Sequence, residues 1–88
     1  MTVHASITAK LTAAFAPAAL DVIDESDNHR GHGGWREGGE THFRVKVVSE
    51  AFRGRSRVDR HRMVNQVLDA ELKGRVHALA IEARAPGE

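Results

Sequence analysis

The sequence predicts an α+β fold in the order α-β-β-α-β, with a three-stranded mixed sheet covered by helices on one face. Three observations predict it. An apolar stripe recurs every four residues near the N-terminus. Residues 41–49 alternate between apolar and polar side chains. A second helical stripe ends at a glycine, just before a short apolar run.

The elements follow in order. Residues 3–15 read as a helix, because Ile7, Leu11 and Phe15 share one narrow face and Pro17 stops the pattern. Residues 18–24 alternate, with Ala18, Leu20 and Val22 on one side and Asp21 on the other, as in a half-buried strand. Residues 25–40 form a long polar loop holding five of the eight glycines. In residues 41–49, Phe43, Val45 and Val47 face the core, and His42, Arg44 and Lys46 face water. Residues 50–57 make a basic turn, and Ser56 is placed to cap a helix running from about Arg57 to Lys73. Val64, Leu68 and Leu72 form that helix's stripe, and Gly74 follows it as a C′ glycine. Residues 75–83 form the last strand, with His77, Leu79 and Ile81 on one face and Val76, Ala78 and Ala80 on the other. A strand–helix–strand unit crosses over right-handed, so the third strand runs parallel to the second. The first two strands pair antiparallel.

The 88 residues fit one domain over 1–88, with flexible ends at about 1–3 and 84–88. A domain of this size buries only roughly 60–65 % of its unfolded surface, so one thin core is expected. The formal net charge of +1 gives no global basic field for nucleic acid. No run approaches the ~20 apolar residues of a membrane span, and the N-terminus has no signal-peptide pattern. A cytoplasmic protein without membrane contact is expected.

The chain has six histidines and no cysteine. Imidazole is a borderline metal ligand that titrates near neutral pH. Histidines without thiols can complete part of a metal site but cannot build a thiolate cage. That points to a site shared with a partner. No enzyme constellation stands out. Ser49 and Ser56 lack a paired base, Asp24 and Glu25 merely close a strand, and the glycines at 31–39 match no phosphate-binding loop.

Five blocks carry a family resemblance: DESDNHRGH at 24–32, ETHFRVKVVSEAF with the following glycine and Ser56, RHRMV at 60–64, the Glu71–Leu72 pair, and VHALAI at 76–81. Together they resemble the BolA family over nearly the whole chain. The resemblance implies a fold similar to the class II KH domain. It also implies a partnership with a monothiol glutaredoxin, with a shared [2Fe–2S] cluster serving iron–sulfur trafficking or iron and redox sensing. Some bacterial members are DNA-binding transcriptional regulators tied to stress. The chain departs from the family twice. After VHALAI it has only ARAPGE, so the short C-terminal helix of many relatives is expected to be absent or vestigial, and its loop carries histidine where some carry cysteine.

The resemblance implies His77 as the cluster ligand from the last strand; periodicity alone favours a core-edge histidine bonded to backbone. It implies His29 as the loop ligand, with His32 three residues on as the substitute. Two imidazoles leave two thiolates to be supplied, as in mixed His/Cys clusters. Here the resemblance implies the glutaredoxin cysteine and bound glutathione. Zinc is the competing metal, but no tight spacing such as H-E-x-x-H is present. Arg53, Arg55, Arg57, Arg60 and Arg62 form the nucleic-acid candidate beside a helix N-terminus. Their plain alternative is a solvated turn or a surface for an acidic partner. The single glycine of F-R-G-R-S does not reproduce the G-x-x-G grip of KH domains. His61 reads as structural, His42 as exposed, His4 as uninformative, and Trp35 as a packing residue or a partner contact. By this reading the protein binds and does not catalyse. DNA is the alternative partner, and the isolated chain is a monomer or weak dimer.

Overall fold

The computed structural model describes residues 2–25 and 42–88. His29, His32 and Trp35 lie outside the described residues. The elements are helix α1 (Val3–Phe15), strands β1 (Ala19–Asp24) and β2 (His42–Val48), a 3₁₀ turn (Glu50–Phe52), helices α2 (Arg57–Val67) and α3 (Asp69–Lys73), and strand β3 (Ala78–Arg84).

Each boundary has a local cause. Thr2 accepts the Ala5 N–H at 3.0 Å and starts α1. Ala16 ends it in the left-handed region at φ 43°, and Pro17 follows. Ser56 caps α2 by accepting the Asp59 N–H at 3.1 Å. The sheet order is β1-β2-β3. β1 and β2 are antiparallel, with Leu20 opposite Val47 and Val22 opposite Val45. β2 and β3 are parallel, with Val45 beside Ile81. The mixed sheet is therefore the one the sequence predicts.

The core lies between the helices and one face of the sheet. Ile7 and Leu11 of α1, Phe43, Val45 and Val47 of β2, and Val64 and Leu68 are all essentially buried. Phe52 joins them, its ring 4.9 Å from that of Phe15. Ser49 ties this corner together: its hydroxyl donates to the Phe15 carbonyl at 2.7 Å and accepts the Ala51 N–H at 3.1 Å.

Five details differ from the sequence reading. The helix expected over 57–73 breaks at Leu68, whose ψ of 18° leaves the helical range. The break keeps Leu68 in the core while Glu71 meets α1: it accepts from Ser6 at 2.8 Å and from Lys10 at 2.9 and 2.8 Å. Gly74 is not left-handed (φ −100°); a Cβ there would lie 3.3 Å from the Ala70 carbonyl oxygen. The last strand starts at Ala78, because the Val76 N–H is still bonded to the Glu71 carbonyl. His77 thus precedes the strand and is exposed instead of sharing Leu79's face. His42, expected in water, is only 8 % exposed, since β2 is the central strand with neighbours on both sides. The end expected to be loose at 84–88 is tied down: Arg84 closes β3, Ala85 is 1 % exposed, and Glu88 bonds to Arg60 and to the Ala85 N–H.

Candidate functional site

Two places gather chemistry-bearing side chains. The first is the edge where β2 and β3 begin. His42 lies beside Ala78 in the register, which brings the neighbouring His77 ring to 6.5 Å from the His42 ring, centroid to centroid. A shallow pocket of about 300 Å³ lies there, lined by Glu25, His42, Arg44 and Ala78 among others. Arg44 donates to Glu25 at 3.1 Å. His77 is exposed and makes no hydrogen bond or ion pair among the described residues. His42 is buried and already has a partner. No cluster of three or more His, Cys, Asp or Glu able to hold a metal exists among the described residues. The candidate loop ligands, His29 and His32, lie outside them. What this edge offers is therefore one exposed imidazole next to a second, buried one.

The second place is a groove of about 490 Å³ between the first turn of α2 and the end of β3. Arg55, Arg57, Arg60, His61, Glu82 and Arg84 supply its polar lining. The structure divides the five arginines of the basic cluster. Arg53 is committed to Glu50 at 2.7 and 2.9 Å and to the Pro86 carbonyl at 2.8 Å. Arg60 donates to the carbonyls of Arg55 at 3.0 Å and Ala83 at 3.1 Å, and grips both carboxylate oxygens of Glu88. Arg62 lies 3.9 Å from Asp59 on an exposed face, outside the groove. Arg55 and Arg57 form no ion pair among the described residues.

Charge follows these contacts. Arg60, together with the Ala85 N–H, pulls the Glu88 carboxyl from 4.5 down to about 2. The hydrogen bond from Arg53 likewise lowers Glu50. Burial pushes Glu71 up, but the hydrogen bonds from Lys10 and Ser6 outweigh it, and the group ends below its usual value.

Sequence reasoning did not find the Arg60–Glu88 and Lys10–Glu71 pairs. Their partners are 28 and 61 residues apart, and no periodicity links positions at such distances.

Comparison with known proteins adds a further finding. The profile of the BolA-like protein family matches residues 11–88. BolA-like protein 1 of Mus musculus is 48 % identical over 86 residues, covering 98 % of this chain; the chain spans 60 % of that protein's length. The DNA-binding transcriptional regulator BolA of Vibrio cholerae is 51 % identical over 75 residues, 85 % of this chain and 67 % of its own. The solved structure of BolA1 from Arabidopsis thaliana superposes with a TM-score of 0.89 at 35 % identity, covering 100 % of this chain and 96 % of that one.

Proposed function

The chain belongs to the BolA-like protein family, and from that membership we propose that it acts by binding, as the partner of a monothiol glutaredoxin with which it shares a [2Fe–2S] cluster. The observation that carries this reading is His77, an exposed imidazole that forms no hydrogen bond or ion pair among the described residues, just before β3. The donor chemistry fits: a histidine pair is a known half of a mixed-ligand [2Fe–2S] centre, and a chain without thiols needs the other half from a partner. His77 and one loop histidine, His29 or His32, supply the imidazoles; the glutaredoxin cysteine and glutathione supply the sulfurs. The cluster, when bound, supplies one-electron redox chemistry or iron and sulfide for transfer, and the protein's part is to ligate and orient. The cellular setting proposed with it is cytoplasmic.

The test mixes the protein with cluster-loaded monothiol glutaredoxin and glutathione and follows visible circular dichroism. The wild type is expected to give a new spectrum, and H77A to lose it. H29A and H32A name the second ligand. An unchanged spectrum with the wild type overturns the reading.

A second reading is favoured by one observation. Arg55 and Arg57, which form no ion pair among the described residues, lie beside the capped start of α2, a geometry suited to phosphate. On this reading the protein binds DNA through that turn; the Vibrio relative is named a DNA-binding transcriptional regulator. DNA affinity should then fall with rising salt and fall further in an R55Q/R57Q double variant.

A further inference from the structure

Arg60 is an unusual member of the basic turn. Its side chain is 14 % exposed, and its Nε and one terminal nitrogen are pinned to the carbonyls of Arg55 and Ala83. The guanidinium is therefore held in one orientation by backbone from both walls of the groove. Each terminal nitrogen also donates one hydrogen to a carboxylate, the side chain of Glu88. The same carboxylate accepts the Ala85 N–H at 2.9 Å. A pre-oriented fork plus a backbone N–H is the donor set that recognises a tetrahedral oxyanion as well as a planar one.

Glu88 reaches that set from a four-residue turn. Ala85 anchors the turn in the core, and Arg53 holds it through the Pro86 carbonyl. Glu88 itself is 37 % exposed on its side chain. Among the described residues its side chain forms hydrogen bonds with Arg60 and the Ala85 N–H alone, while its own N–H donates to the Ala85 carbonyl at 3.2 Å within the same turn. It is thus an occupant that can leave without unravelling the core.

The groove holds more positive charge than its own carboxylates balance. Glu88 answers Arg60, and Glu82 lies 3.8 Å from Arg84. Arg55 and Arg57 form no ion pair among the described residues, and the half-buried His61 lines the groove beside them. An incoming ligand with several linked negative groups could engage Arg55 and Arg57 first and then take Glu88's place.

We propose that Arg60 and the Ala85 N–H form a phosphate-binding site in the α2–β3 groove, and that Glu88 occupies it as an internal competitor, so that phosphate-rich ligands bind by displacing Glu88. The shared chemistry is a chain of phosphates, whether free polyphosphate or a nucleic-acid backbone. The second source rests on the DNA reading above; the first does not.

The test measures tripolyphosphate binding by calorimetry and short duplex DNA binding by fluorescence anisotropy. Wild type, E88Q and the triple variant E88Q/R55Q/R57Q are compared at several salt concentrations. E88Q is expected to bind tripolyphosphate about two- to fivefold more tightly than wild type, because one partly solvated ion pair no longer competes. Its log–log salt slope should steepen by about one, the signature of one added phosphate contact. The triple variant should lose the gain. If DNA shows the same gain, the ligand source is nucleic acid as well. If tripolyphosphate gains and DNA does not bind at all, the site stands and the DNA reading falls. If DNA binds wild type and E88Q equally and tripolyphosphate does too, the competitor is overturned while the DNA reading survives. No binding of either probe overturns both. Glu88→Asp keeps the charge but shortens its reach; it should give an intermediate gain, and it carries the comparison should E88Q melt early.

Discussion

His42 and His77 exchange the environments that strand alternation assigns them. Alternation puts His42 with Arg44 and Lys46 in water and His77 on one face with Leu79 and Ile81, as a core-edge histidine bonded to backbone. It assumes that the strand runs unbroken through both residues and that a polar-face position is an open one. Neither assumption holds. The hydrogen bond from Val76 to the end of α3 delays β3 until Ala78, and the central position of β2 covers His42. The stability of the two alanine variants should therefore diverge. H42A removes a buried, partnered ring and should cost about 1–3 kcal/mol. H77A removes an exposed ring and should stay within about 0.5 kcal/mol of wild type. Urea midpoints at neutral pH, with equal m-values, check both. Equal losses would mean that His77 is a structural residue and that its effect on a shared cluster is indirect.

The elements themselves were largely legible, because their signals are local. The stripe Ile7, Leu11, Phe15 and the alternation Phe43, Val45, Val47 each lie within one element, and both are buried as the pattern requires. The joints between elements were not legible, because they are made by polar contacts between distant residues. Ser49 reads in sequence only as a serine without a base; in the fold it bonds the last carbonyl of α1 to the turn after β2. S49A leaves a buried carbonyl unpaired and should cost about 1–2 kcal/mol, measured as a shift in urea midpoint without a change in m-value. Glu71 is the second joint. Its side chain is 10 % exposed and its partner Lys10 is 39 % exposed, so solvent screens the pair from one side. K10A should cost about 1–2 kcal/mol, below the loss expected for a fully buried pair, because Ser6 still donates to Glu71. A K10A variant as stable as wild type would leave the break at Leu68 without this cause.

At the scale of the whole molecule, a formal net charge of +1 conceals how the charges are arranged. Three carboxylates are held below their ordinary value of 4.5 by specific donors: Glu88 by Arg60, Glu50 by Arg53, and Glu71 by Lys10 and Ser6 against the opposing effect of burial. Each is deprotonated more readily in the folded chain than in the unfolded one. Between the two values the unfolded chain therefore binds more protons, and stability rises with pH. The contribution is fully present above about 4.5 and is lost as pH falls towards about 2, where Glu88 protonates in the fold. Thermal melts at constant ionic strength should show a flat Tm from neutral pH to about 5 and a decline below it. E88Q has no such carboxylate, so its decline should be shallower, and its deficit relative to wild type should vanish near pH 2. The same titration separates the turn's two roles. If the E88Q and wild-type curves run parallel down to pH 2, the Arg60–Glu88 pair contributes no stability through charge. The gain expected for E88Q in polyphosphate binding would then have no ion pair to come from, and Glu88 would not be a competitor for the Arg60 site.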